Sequence, residues 1–353
     1  MRTKNLPVSI ELGERAKIAV VGAGAIGGVT AAFLVRAGWD LEIVCKHQEI
    51  VERASRGLHV FGAKGDYRVP LRAVKDIADL SGPKDVVFLA TKAYDCLAAV
   101  QDLLPFLGQA SAVVSLQNGM CEHALAEVLG RERVVGCVVG WGATMHGPGE
   151  LEVTSRGEFV IGNIDNEADR RLPFLQEMLR AVMPTRISEN IVGELYSKLV
   201  VNSCINSLGV IAGLRLGELL ANRKVRYVFL SLMGEAMAVA EAMGIKVEPG
   251  GAGKVDYDWF LRGQGTLAEL TRHVLIRIIG LKYRKIKSSS LQSLERGRMT
   301  EIDYLNGYIC GQGKKHGVPT PINDGVVKMI KEIEGGKRRI TPENLNDPVF
   351  DLP

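Results

Sequence analysis

The sequence predicts an α/β domain followed by an all-α domain, on three observations. Ala16–Val21 is an unbroken, mostly apolar run that passes straight into Gly22-Ala23-Gly24-Ala25-Ile26-Gly27. Strand and helix patterns then alternate as far as Pro184, and beyond it the strand signals fade into helical spacings. At 353 residues the chain is too long for one typical domain and fits two. The boundaries read as an N-terminal extension (1–15), an α/β domain (16–188), a helical domain (189–335) and a polar C-terminal tail (336–353).

In the first part, Ala16–Val21 reads as a buried strand, 28–37 as a helix ended by Gly38, and Leu41–Cys45 as a second strand. A Gly-x-Gly-x-x-Gly turn between strand and helix is the setting in which glycines serve a dinucleotide. Gly22 permits the tight turn, Gly24 lets a pyrophosphate approach the backbone, and Gly27 lets the helix pack against the strand. The helix N-terminus then holds the negative charge. This makes the domain Rossmann-type. The second strand ends in Cys45-Lys46-His47, where an NAD-binding fold usually carries Asp or Glu for the ribose 2′-hydroxyl. Lys46 there suits a 2′-phosphate and hence NADP, the bland alternative being a solvated surface lysine. Further strands read at 85–90, 111–116 and 133–139, with helices at 94–107 and 167–183. Segments 150–154 and 158–162 read as a hairpin. Lys92 and Asn118 fall just past strand C-terminal ends, where open α/β sheets bind ligands.

In the second part, 193–211, 222–243, 267–281, 289–312 and 325–334 read as helices. The first carries Lys198, Asn202 and Asn206 four residues apart among largely apolar neighbours. Steps of four place them along one slowly drifting stripe. An amine and two carboxamides on a mostly buried helix are costly unless they meet partners. They suit a pocket wall for a small polar molecule, or three groups satisfied by neighbouring helices. Glu301, in Thr300-Glu-Ile-Asp-Tyr-Leu-Asn-Gly307, reads in isolation as part of an ordinary helix start.

Composition narrows the classes. The chain is 46% hydrophobic and 24% charged, and 44 Lys plus Arg against 40 Asp plus Glu leave a net charge of only +4. That argues against a dedicated nucleic-acid binder. Six cysteines are scattered without a Cys-x-x-Cys or a Cys/His cluster, so they read as reduced thiols with no metal site. Met1 to Lys17 shows no apolar signal core, and no window reads as long enough to span a bilayer. These features predict a cytoplasmic protein.

Taken in order, several stretches resemble the ketopantoate reductase (2-dehydropantoate 2-reductase) family. They are the 22–27 loop, Thr91-Lys92-Ala93, Gln117-Asn118-Gly119-Met120, His146-Gly-Pro-Gly149 and the Glu194…Lys198…Asn202…Asn206 helix. Ser289-x-Leu-Gln, Leu294-Glu-Arg-Gly-Arg298, Thr300–Gly307 and His316-Gly-Val-Pro-Thr-Pro321 continue the likeness, from about residue 16 to 330. The resemblance implies a Rossmann domain with a helical domain of the 6-phosphogluconate dehydrogenase C-terminal type. It implies reduction of the 2-keto group of ketopantoate to D-pantoate with NADPH, a step of pantothenate and coenzyme A biosynthesis. By the same resemblance Lys198 is the general acid on the keto oxygen and Glu301 orients substrate and nicotinamide ribose. Asn202, Asn206 and Ser289 hold the substrate hydroxyl and carboxylate, Asn118 and Lys92 line the nicotinamide side, and Lys46 meets the 2′-phosphate. The small-molecule partner is thus a 2-keto acid, and a homodimer through the helical domain is compatible with the likeness. The chemistry agrees: hydride arriving at a carbonyl carbon builds charge on oxygen, which an ammonium stabilises and protonates. Two other readings stay open, a reductase for another branched or aromatic 2-keto acid and a non-catalytic NADP sensor.

The largest departure from the family pattern lies between Gly244 and Ser288. It opens on the loop signal Pro249–Gly253 and ends in a basic run, 271–287, without an acid. That run could line the substrate site, touch a partner or membrane surface, or be a solvated helix face.

Overall fold

The computed structural model describes residues 16–251, 255–263 and 265–351. The extension 1–15 lies outside them, as do the last residues of the Pro249–Gly253 loop. The chain forms two compact units. The first runs to Gln117 and resumes over Cys121–Ile191, and the second takes Asn118–Met120 and the chain from Val192 onward.

The first unit contains β1 (Ile18–Val21), α1 (Ala25–Arg36), β2 (Leu41–Val44), α2 (Gln48–Arg56), β3 (Leu58–Gly62), β4 (Tyr67–Val69) and β5 (Arg72–Val74). Then come β6 (Lys84–Leu89), α3 (Cys96–Leu103), β7 (Leu107–Ser115), α4 (Glu122–Leu129) and β8 (Val134–Val139). It closes with β9 (Gly142–Gly147), β10 (Glu150–Ser155), β11 (Phe159–Asn163), α5 (Leu172–Arg180) and β12 (Thr185–Ile187). The main sheet has the order β12-β11-β8-β7-β6-β1-β2-β5. Its strands from β5 to β8 are parallel, with β1 between β2 and β6. β1 and β2 are buried along their whole length: β1 is a continuous apolar run, and β2 carries one charge, Glu42, which meets Lys84 and Arg72. Chain order changes direction at β1, so the crevice beyond its C-terminal end is the ligand position of such sheets.

Two expectations fail here. Segments 150–154 and 158–162 are not a hairpin. β10 pairs antiparallel with β9 and parallel with β3 in a separate four-stranded sheet, whereas β11 pairs antiparallel with β8 in the main sheet. The second difference is α5, which starts only at Leu172, with a proline in its first turn.

The second unit is helical: α6 (Ile191–Ala212), α7 (Leu216–Ala221), α8 (Arg223–Ala242), α9 (Tyr257–Arg262), α10 (Thr266–Lys282), α11 (Ser289–Glu295), α12 (Asn306–His316) and α13 (Pro321–Glu334). Asn222 caps α8, its side chain accepting from the Lys224 and Val225 amides. The single helix read over 289–312 is interrupted, because Gly297 turns the chain at φ +66° and 302–304 form a separate 3-10 turn. Residues beyond Gly336 fold onto this unit. Asn344 Nδ2 donates to the Ile211 carbonyl at 3.0 Å, and Leu345 and Phe350 are buried. One helix, α6, is long and apolar enough to cross a membrane, contrary to expectation, but 78% of its apolar window is buried within the protein and it serves as a core helix.

Candidate active site

The candidate residues are divided between the two units. In the first, β1 feeds the glycine turn and the Gly22 amide donates to the Val44 carbonyl at 3.0 Å, fixing the turn against β2. Gly22 has φ +108°, and a Cβ there would lie 2.7 Å from the Ala90 carbonyl, so packing alone requires glycine. At Gly27 a Cβ would stand 2.0 Å from the Gly22 oxygen. Gly24 is different. Its φ is −71°, which any residue adopts, and a Cβ would meet nothing within 4 Å. Neither strain nor chain packing accounts for it, whereas a pyrophosphate seated on the backbone does. Ala23 is buried, Ala25 and Ile26 are half-buried, and no side chain caps α1 and no acid lies in its first turn. The residues present therefore fit a dinucleotide.

Lys46, just past β2, is 78% exposed along its side chain and lies 4.0 Å from the Asp95 carboxylate. Lys92 is half-buried and begins the 3-10 turn 93–95 that carries Asp95. A relay that sequence reasoning missed ties the neighbouring strand ends together. Ser115 Oγ donates to Gln117 Oε1 at 2.7 Å, and Gln117 Nε2 donates to Thr91 Oγ1 at 3.3 Å. The adjacent Thr91-Lys92 and Gln117-Asn118 pairs were its only trace in the sequence.

In the second unit the α6 stripe descends into the core: Lys198 and Asn202 are half-buried and Asn206 is 5% exposed. Asn206 meets α11, where Ser289 Oγ donates to its Oδ1 at 3.3 Å. Ser288 caps α11 through the Leu291 amide and donates to the Asn206 carbonyl at 3.5 Å, so the stripe and the start of α11 are locked together. Ser289 itself is exposed, which leaves its hydroxyl within reach of a ligand. Glu301 is 5% exposed and its side chain does not cap the 3-10 turn it precedes, so the helix-start role does not explain it. Thr300 anchors it, donating through backbone N and Oγ1 to Glu334 Oε1, both at 2.7 Å. Asn118 is half-buried, and its neighbour Gly119 packs so tightly that a Cβ would stand 2.4 Å from the Tyr304 carbonyl. Asn118 is thus held beside the segment that carries Glu301.

A buried amide network, not foreseen from sequence, supports the stripe. Asn306 Nδ2 donates to the Ser203 carbonyl at 3.0 Å and to Asn323 Oδ1 at 2.9 Å. Asn323 Nδ2 in turn donates to Glu235 at 2.7 Å. Burial pushes the Glu235 carboxyl above its ordinary range, against the lowering effect of the Ile322 and Asn323 amides at the start of α13. Among the described residues no group of His, Cys, Asp or Glu could hold a metal ion.

A glycine-turn Rossmann sheet joined to a helical unit with a Lys-Asn-Asn stripe defines a class of dinucleotide-dependent oxidoreductases acting on small carbonyl or hydroxyl compounds. Residues 18–166 match the family described as ketopantoate reductase PanE/ApbA, and 190–334 match the ketopantoate reductase PanE/ApbA C-terminal family. The chain belongs to the ketopantoate reductase family. A 2-dehydropantoate 2-reductase of Mesorhizobium japonicum is 29% identical, over 90% of this chain and 97% of that one. A crystal structure of a PanE/ApbA family ketopantoate reductase from Ralstonia eutropha superposes with TM-score 0.77 at 30% identity, covering 91% of this chain and 99% of the other. A ternary structure of D-mandelate dehydrogenase with NADH and anilino(oxo)acetate shares the fold, with TM-score 0.75 at 23% identity and the same coverages.

Proposed function

We propose that this protein reduces the 2-keto group of ketopantoate to D-pantoate with NADPH, as a step of pantothenate biosynthesis. The observation that supports the reading is the α6 stripe with its α11 partner, Ser289 on Asn206 at 3.3 Å, a line of donors and acceptors spaced one helical turn apart that begins at the half-buried Lys198. The 22–27 turn holds the pyrophosphate through its amides, and Lys46 meets the 2′-phosphate. The reduced nicotinamide supplies the hydride. Lys198 donates a hydrogen bond from Nζ to the keto oxygen, stabilises the charge that builds there and hands over the proton that completes the hydroxyl. Asn202, Asn206 and Ser289 hold the substrate's own hydroxyl and carboxylate, so the carbonyl presents one face to the hydride. Glu301 orients substrate and nicotinamide ribose, and Asn118 and Lys92 line the nicotinamide side.

The test is NADPH consumption with ketopantoate beside a panel of branched and aromatic 2-keto acids. Saturable turnover preferring ketopantoate is the expected result. Preference for another acid would keep the chemistry and overturn the substrate. Lys198→Ala is expected to cut kcat roughly a thousandfold while NADPH binding, followed by its fluorescence, stays within about twofold. Surviving turnover would remove Lys198 from the mechanism.

A further inference from the structure

Tyr257 opens α9, where Asp256 caps the helix by accepting from the Trp259 amide at 2.9 Å. The cap fixes Tyr257 in the first turn, facing α6. Its phenol donates to the Ser197 carbonyl at 3.2 Å and lies 3.2 Å from Ser197 Oγ. Tyr257 and Ser197 are each 3% exposed, so these bonds are shielded from water. They are compatible when the serine hydroxyl donates to the phenol oxygen and the phenol proton goes to the carbonyl. Burial pushes the phenol up to about 12, so Tyr257 keeps that proton at neutral pH.

The residue after Ser197 is Lys198. A carbonyl oxygen has two lone pairs, so that of Ser197 can serve both the α6 ladder and Tyr257. Its carbon is bonded to the backbone nitrogen of Lys198. Tyr257 therefore holds the peptide plane from which the Lys198 side chain starts. The chain before α9 braces the same flank. The Glu248 amide donates to the Gly193 carbonyl at 3.3 Å. Gly250 exchanges two backbone hydrogen bonds with Val255, at 3.1 and 2.9 Å. A Cβ on Gly250 would stand 1.8 Å from Ser197 Oγ, and one on Gly251 would lie 3.4 Å from Val201 Cγ2. Gly193, Ser197 and Val201 are spaced by four and form one face of α6. That face lies about 100° round the helix from Glu194, Lys198, Asn202 and Asn206, and the brace follows it for about two turns. The bracing segment belongs to the stretch between Gly244 and Ser288 where the sequence departs from the family pattern.

We infer that Tyr257 is a positioning residue, holding through Ser197 the turn of α6 that presents Lys198 to the keto oxygen. The inference rests on Lys198 being the acid of the reaction proposed above. Tyr196 supplies the comparison for its test. It is buried on the same helix, and its phenol donates to the Ala236 carbonyl of α8 at 2.8 Å. Tyr257→Phe and Tyr196→Phe each delete a buried phenol bond, and both are expected to lower the thermal midpoint by a similar amount, about 2–4 °C. With the preferred 2-keto acid of the panel at saturation, Tyr257→Phe is expected to lower kcat about thirtyfold. KM and the NADPH dissociation constant are expected to stay within about twofold, and Tyr196→Phe to keep kcat within about twofold of wild type. In a Lys198→Ala background Tyr257→Phe is expected to cost nothing further, because a residue that acts through another has no effect once that other is gone. Equal kcat in the two phenylalanine variants overturns the positioning role and leaves that of Lys198 standing. So does a further loss in the double variant. Turnover that survives Lys198→Ala overturns both readings together.

Discussion

Lys46 reaches solvent at the end of β2 with the Asp95 carboxylate 4.0 Å away, so the charge it offers a ligand is already shared. Both groups are largely exposed, and their mutual attraction is small. A 2′-phosphate carries more charge than Asp95 and competes for the same ammonium, while Asp95 repels it. Asp95→Asn is therefore expected to tighten NADPH about threefold to fivefold and leave NADH nearly unchanged, as read by fluorescence titration. Lys46→Glu is expected to weaken NADPH about fiftyfold, again with little effect on NADH. Equal losses for both cofactors would show that Lys46 does not meet the phosphate. The same two residues show what a sequence discloses. Lys46 stood out in the sequence because it stands where a strand of this kind ends, and its part in binding rests on the titrations above. Asp95 was not, because its relevance depends on how the turn after β6 is placed against β2, which no local pattern records.

Among the elements, the glycine turn separates packing from binding. Gly27→Ala is expected to cost about 2–4 kcal/mol in denaturant unfolding, since the Gly22 carbonyl leaves no room for a methyl. Gly24→Val, opening onto unoccupied space, is expected to leave stability within about 0.5 kcal/mol and to weaken dinucleotide binding at least tenfold. The second sheet has its own sensitivity. His59 on β3 bridges Glu150 of β10 at 2.6 Å and Asp66 at 2.9 Å, and these two carboxylates, Glu150 foremost, raise the imidazole above its ordinary value. A raised folded value means that the stabilisation is complete below the unfolded value of about 6.5 and is lost as pH rises through the folded one. Thermal midpoints are thus expected to fall above pH 6.5 in the wild type and to fall less in His59→Gln. This sheet was the least legible element in the sequence. Strands such as β1 and β8 announce themselves as apolar runs because both faces are buried, whereas β3, β4, β9 and β10 mix polar with apolar residues. Adjacency along the chain then suggested pairing β10 with β11, which tertiary structure divides between two sheets. The 289–312 stretch has helical periodicity throughout, and the break that sets Glu301 on a turn depends on Gly297 at φ +66°.

For the whole molecule, the C-terminal stretch that reads as a polar tail contributes to the second unit's core. Burial of Leu345 and Phe350, 4% and 2% exposed, is worth about 3–6 kcal/mol. Ending the chain before Thr341 is expected to lower the thermal midpoint by about 10 °C, measured by calorimetry. Another feature bears on heredity. Asn118–Met120 belongs to the second unit although the chain on either side of it belongs to the first. No single cut in the gene yields two whole halves, because a fragment starting near residue 190 would leave behind the three residues that seat Gly119 against Tyr304. Recombination at the apparent junction would deliver an incomplete helical unit to its new host. The transplanted unit is therefore expected to melt at a lower temperature than the same unit in the intact chain, having lost the packing of Gly119 on Tyr304.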